Sequence, residues 1–145
     1  MVFQTHISTI GYPGKAVMAA DMKRFTDLGL EVYITELDVT IDAPITEWKL
    51  EQQARIYKEV FEIALENPKI PLICLWQFND AQNWLGVDKK TTIMDSLYQH
   101  KPAYDSIAVV LPLETVATIA PVKTHFVTPF SVTNRGMEFG SSETA

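Results

Sequence analysis

The chain has 145 residues, of which 47% are hydrophobic and 21% charged, and it carries a formal net charge of −6. That length fits one domain or part of one, and the apolar fraction supports a packed core and argues against general disorder. The acidic balance argues against nucleic acid and against anionic membranes, both of which want clustered Lys and Arg; a neutral or weakly charged substrate fits better. No apolar run reaches the ~20 residues needed to span a bilayer. The segment Met1–His6 has neither a basic stretch nor a long apolar one, so no export signal is expected there.

Val2 to His6 reads as a short strand, and Gly11-Tyr12-Pro13-Gly14 as loop punctuation. From Pro13 to Leu28 the spacing predicts a helix: Met18, Met22, Phe25 and Leu28 recur at helical intervals, and Gly29 sits where a C-terminal cap belongs. Glu31 to Val39 reads as a β-branched strand that ends in the carboxylates Glu36 and Asp38. Plain alternation puts Val32, Ile34, Glu36 and Asp38 on one face and Tyr33, Thr35, Leu37 and Val39 on the other. After a loop at Asp42-Ala43-Pro44, Trp48 to Glu66 is the clearest helix, with an apolar stripe of Leu50, Ala54, Tyr57, Phe61, Ala64 and Leu65. Trp48 is expected to pack at its start, and Glu51–Arg55 and Arg55–Glu59 to pair on its wet side. Asn67-Pro68 ends it.

Ile70 to Phe78 is continuously apolar, as a strand covered on both faces should be. Cys74, the one cysteine, falls inside this run and is expected to be an inert core residue, with no disulfide partner in the chain. Asn79 to Gln99 reads as a polar loop, and Lys101-Pro102 opens a last helix with Pro in its first turn. Strands alternating with helices predict an α/β fold with a parallel sheet and right-handed crossovers. Residues 112–145 are rich in Thr, Ser, Val and Pro and read as a linker or irregular tail; within them His125 to Val132 could alternate as a strand, restricted to an edge by Pro129. The organisation is therefore a domain over 1–111 followed by the tail 112–145.

Three polar clusters fall at the same end of the three strands: Gln4-Thr5-His6, Thr35-Glu36-Leu37-Asp38, and Trp76-Gln77-Phe78-Asn79-Asp80 with Trp84 beyond. C-terminal ends of parallel strands are where α/β folds build their sites. Ending a packed strand in two charges costs desolvation unless those charges have partners or a task. If the first two strands are neighbours, Asp38 lies near His6 and fixes its tautomer. Indole faces bind the apolar faces of sugar rings, and carboxylates beside them suit glycoside hydrolysis through an oxocarbenium-like transition state. Taken singly, His6 is as well explained as a core histidine, and Trp76 and Trp84 as packing residues. His100 and His125 are surface candidates with no partner in view. No His/Cys/Asp spacing makes a metal set and no Gly-rich loop makes a phosphate cradle, so neither metal nor cofactor is expected.

Phe3-Gln4-Thr5-His6, Ile34-Thr35-Glu36-Leu37-Asp38, Trp76-Gln77-Phe78-Asn79-Asp80-Ala81-Gln82-Asn83-Trp84 and Lys101-Pro102-Ala103-Tyr104-Asp105 together resemble the endo-β-1,4-xylanases of glycoside hydrolase family 10. The likeness runs from Val2 to about Ile107. It departs in detail at Gln77, where Gly is usual, and at Asn83, where Ser is common. The resemblance implies a (β/α)8 barrel of which this chain supplies the sixth, seventh and eighth βα units, since a whole barrel takes about 250 residues. It implies that Glu36 is the nucleophile, that Gln4 and His6 bind next to it and to the sugar before the cut, that Asp38 supports His6, and that Trp76 and Trp84 wall that sugar. The family's acid/base Glu follows an Asn at a strand end; no such Asn-Glu pair occurs here. The resemblance therefore implies xylan as substrate, with a complementing N-terminal half-barrel or self-association as the partner. Members of the family are mostly secreted. The competing readings are a non-catalytic xylan-binding or interaction module, and a small flavodoxin-like domain, the latter disfavoured because no phosphate loop follows the first strand.

Overall fold

The computed structural model describes residues 1–111. They run β1 (Val2–Phe3), β2 (His6–Ser8), α1 (Lys15–Asp27), β3 (Tyr33–Thr40), α2 (Glu47–Glu66), β4 (Leu72–Leu75) and α3 (Pro102–Val110), with short helical turns at Asp80–Gln82 and Val87–Lys89. The tail 112–145 and the edge strand expected at His125 to Val132 lie outside the described residues. No helix among the described residues is long and apolar enough to cross a membrane.

β3 is the centre of the sheet. β1 and β2 pair with one side of it and β4 with the other, all parallel. β1 and β2 are the expected first strand broken at Gln4-Thr5. Thr5 there takes φ 70°, a strained conformation for a β-branched residue.

The alternation expected of β3 does not hold along its length. Ile34 pairs with Ile73 and Leu37 with Leu75, so three steps on β3 match two on β4. On the other side Phe3 pairs with Ile34 and His6 with Asp38, so four steps on β3 match three. β3 therefore holds one residue more than its neighbours between Ile34 and Leu37. Such a bulge reverses which face each later side chain takes. Val32, Ile34, Leu37 and Val39 all enter one core with Met22, Ile56, Tyr57, Val60 and Ile63. Glu36 and Asp38 are thereby separated from Val32 and Ile34, with which plain alternation had grouped them.

The helices form where periodicity and caps put them, with local differences. α1 ends as expected at Gly29, whose φ of 86° suits glycine and whose N–H donates to the Thr26 carbonyl at 3.0 Å. Met22 is buried, with Met18 and Phe25 packed beside it, but Leu28 is exposed because the helix has already closed at Asp27. α2 is capped by Thr46 Oγ1, which accepts from the Lys49 N–H at 3.3 Å. Its buried face is Gln53, Ala54, Ile56, Tyr57, Val60 and Ile63. The face is turned relative to the expected stripe, so Leu65 is exposed, and Trp48 is exposed rather than packed. Arg55 pairs with Glu59 at 3.0 Å; in place of Glu51 it reaches Gln52 Oε1 at 2.8 Å. β4 buries Ile73 and Leu75 against the core while Leu72, Cys74, Trp76 and Phe78 alternate outward. Cys74 is thus exposed, not a core residue, because helices among the described residues cover only one face of this strand. His100, for which no partner was expected, stacks on Tyr104 with ring centroids 3.6 Å apart.

The segment after β4 lies under the top of β3, and Thr91 and Thr92 are fully buried in it without regular structure. Buried backbone must find partners, and here side chains supply them. The Lys90 carbonyl accepts from Gln53 Nε2 at 2.5 Å and Lys101 Nζ at 2.8 Å. The Thr91 carbonyl accepts from the Val39 N–H at 3.1 Å and the Tyr57 hydroxyl at 2.7 Å. Thr92 gives its N–H and hydroxyl to Asp80 Oδ1, at 3.2 and 2.9 Å, and its carbonyl takes Lys101 Nζ at 2.6 Å. Lys101 Nζ also lies 3.3 Å from Asp80 Oδ2, and both side chains are buried. Removing one member of a buried pair leaves the other uncompensated. Lys101→Met is expected to lower the unfolding free energy by about 3–5 kcal/mol, read as a fall in the urea midpoint.

Burial lowers the Lys101 ammonium to about 8, against the opposing pull of Asp80. Below pH 8 folded and unfolded chains both hold the proton. From there towards the ordinary lysine value only the unfolded chain does, so this group's contribution to stability rises with pH. Denaturation between pH 8 and 10 should show that rise, and Lys101→Met should abolish it; a flat profile in the parent chain refutes the assignment. Tyr57 and Tyr12, raised chiefly by burial, act in the opposite direction only above that window.

Candidate active site

The bulge in β3 sends Glu36 and Asp38 towards β2, whose register sets His6 beside Asp38. The imidazole lies between the two carboxylates: Nδ1 is 3.0 Å from Asp38 Oδ1 and Nε2 is 3.2 Å from Glu36 Oε2. Asp38 is only 1% exposed, and its second oxygen accepts the Trp84 indole N–H at 2.7 Å. Oδ1 has no other partner within reach. His6 Nδ1 is the group nearest this buried oxygen, and a proton there points a donor at it. Nε2 makes the hydrogen bond with the more open Glu36 carboxylate, which has 23% of its side chain exposed.

Both indoles border this pair. Trp84 lies 5.0 Å from the His6 ring centroid at 48°, and Trp76 lies 6.1 Å away and edge-on at 82°. They are 52% and 43% exposed, so each offers surface to a ligand. Beside His6 and Trp84 opens a groove of about 450 Å3 lined also by Ser8, Thr40, Pro13 and Leu85. A comparable hollow of about 400 Å3 lies at the other end of the strands among Lys23, Thr26, Asp27, Asn67 and Lys69. It has no aromatic wall, and its carboxylate Asp27 is paired with Lys23. Among the described residues no group of three or more His, Cys, Asp or Glu is arranged to hold a metal ion.

Five of the six expected site residues thus converge: His6, Glu36, Asp38, Trp76 and Trp84. Gln4 stands apart. Its carbonyl accepts the Glu36 N–H at 3.0 Å, which ties the two strands together, while its side chain is exposed. Sequence reasoning passed over Asp80 and Lys101 as supports of this loop. It noted Gln77 only as a departure from pattern. Nothing local marks Asp80 and Lys101, whose partners lie 12 and 21 residues away, and Gln77 bonds backbone groups of a loop whose path the sequence does not show.

A carboxylate at a strand end, with an imidazole and two half-exposed indoles around it, is an arrangement whose faces and charge suit a sugar ring. The family model for glycosyl hydrolase family 10 matches residues 1–110, and the chain belongs to that family. It is 36% identical over 110 residues to endo-1,4-beta-xylanase B of Thermotoga neapolitana, covering 72% of this chain and 32% of that protein. It is 32% identical over 117 residues to endo-1,4-beta-xylanase Y of Acetivibrio thermocellus, covering 75% of this chain and 11% of that protein. Xylanase 10B of Thermotoga petrophila RKU-1, solved in complex with xylobiose, superposes with a TM-score of 0.71 at 35% identity, over 78% of this chain and 36% of that one. The chain therefore spans a third or less of the curated relatives named here, and its fold is that of about three βα units of a (β/α)8 barrel.

The Asp38–His6 geometry sets the protonation pattern directly. Nitrogen NMR of the imidazole is expected to find a proton on Nδ1, facing Asp38. In Asp38→Ala that proton should leave Nδ1, and an unprotonated Nδ1 in the parent chain would refute the assignment.

Proposed function

We propose that this chain carries the nucleophile of a retaining endo-β-1,4-xylanase, with Glu36 in that role. The observation that carries the reading is the division of labour between the two carboxylates. Asp38 is buried, its oxygens facing the Trp84 indole and His6, so it is spent on orientation. Glu36 is the one left open. Its oxygen attacks the anomeric carbon, the glycosidic C–O bond breaks, and a glycosyl ester forms that water then hydrolyses. The His6 ring lies beside the attacking carboxylate, with Nε2 3.2 Å from Glu36 Oε2, and the Trp76 and Trp84 faces border the sugar ring, with the Gln4 side chain free to reach it. The xylobiose-bound solved relative supports xylan as the substrate class.

The leaving oxygen needs a proton from a second carboxylate about 5–5.5 Å from the nucleophile. Among the described residues Asp38 is the other carboxylate at this site, and its oxygens are committed. In this reading the acid comes from the remainder of a barrel, which also covers the sheet edges of β1, β2 and β4. A binding module that keeps the indole walls without turnover is the second reading, favoured by their exposure beside a single open carboxylate.

A substrate whose leaving group needs no proton separates these readings. The chain is expected to turn over dinitrophenyl xylobioside faster than xylan by about 10²–10⁴-fold, the usual worth of general acid help. A 2-fluoro xylobioside should add one glycosyl ester to Glu36, and Glu36→Gln should abolish both. Binding of xylobiose with no ester on Glu36 supports the module and refutes the enzyme.

A further inference from the structure

We propose that Gln77 is a positioning residue that fixes the Trp84 wall of the site. Gln77 follows Trp76 directly, just past the end of β4. Its Oε1 accepts the Trp84 backbone N–H at 2.7 Å, and its Nε2 donates to the Gln82 carbonyl. The two partners fix the amide's orientation: turned over, it would set donor against donor and acceptor against acceptor. One side chain thus spans Gln82 to Trp84 and ties them to the strand that carries Trp76.

Packing does not do this work, because half of Trp84 is open to solvent. Its hydrogen bonds among the described residues are the backbone one to Gln77 and the indole one to Asp38 at 2.7 Å. Together they pin the residue at both ends, and an amphipathic indole held at both ends presents a fixed face. The Asp38 bond leaves Oδ1 for His6, so Gln77 acts on the Glu36 carboxylate through Trp84, Asp38 and His6 in turn. A glycine at this position, as in the resembling family pattern, has no side chain to make either bond. That Trp84 walls a sugar rests on the function proposed above; that Gln77 positions Trp84 does not.

The test is hydrogen exchange of the full chain, read residue by residue by NMR. Gln77→Leu keeps the bulk and removes both bonds. It is expected to speed exchange at the Trp84 amide and indole N–H by about tenfold, the protection one ordinary hydrogen bond supplies. The amides of Leu37 and Val39 should keep their protection. Gln77→Glu keeps the acceptor and should keep the Trp84 amide protected. In a parallel titration with xylobiose, Gln77→Leu should weaken the response of the Trp84 indole by about tenfold. Unchanged Trp84 exchange in Gln77→Leu, or loss shared equally with β3, overturns the proposal. If xylobiose moves no resonance of the parent chain while the exchange result holds, the sugar reading fails and the positioning role stands.

Discussion

One extra residue in β3 decides where everything else goes. A strand with helices on one face must keep apolar side chains on that face, and strict alternation offers a single parity to do so. The first half of β3 buries Val32 and Ile34, and the second buries Leu37 and Val39. These two sets have opposite parity and can share a face only if the strand slips by one between them, which the registers on both sides record. Without the slip, Glu36 and Asp38 would follow Ile34 into an apolar core at a cost of several kcal/mol per charge. With it, the packed core and the candidate site occupy opposite faces of the same strand.

The site is completed by a loop that owes its place to polar side chains rather than to packing. Asn79 to Gln99 contributes Trp84, and its buried part is held by Gln53, Tyr57, Asp80 and Lys101. Three of these, Gln53, Asp80 and Lys101, are groups that a hydrophobicity scale assigns to the surface. They are buried because Lys90, Thr91 and Thr92 present carbonyls that no strand or helix satisfies. Asp38 then joins loop and strand, since its two oxygens face donors from Trp84 on one and His6 on the other.

The elements were legible where their signals are local. α2 follows from its spacing and from Asn67-Pro68 as its end, α3 from Pro102, the end of α1 from Gly29, and the parallel order from the alternation of strands and helices. The grouping of His6, Glu36 and Asp38 was legible because strand ends carried residues unsuited to a core, whereas Trp84 reaches them from the loop beyond β4. The parity of β3 was not, because nothing in Thr35-Glu36 marks a bulge in the way a glycine would. The exposure of Cys74 and Leu72 was not, because an apolar run looks the same whether one face or both are covered. The buried roles of Gln53 and Lys101 were not, because their partners, near residues 80 and 90, are distant in the chain.

The central position of β3 also concentrates the register of the sheet in one element. β1 and β2 pair with one of its edges and β4 with the other, and both sides accommodate the same extra residue. They do so differently: the first strand breaks at Gln4-Thr5, where Thr5 takes φ 70°, whereas β4 runs on unbroken. Neither edge can shift by a residue without setting the other out of step.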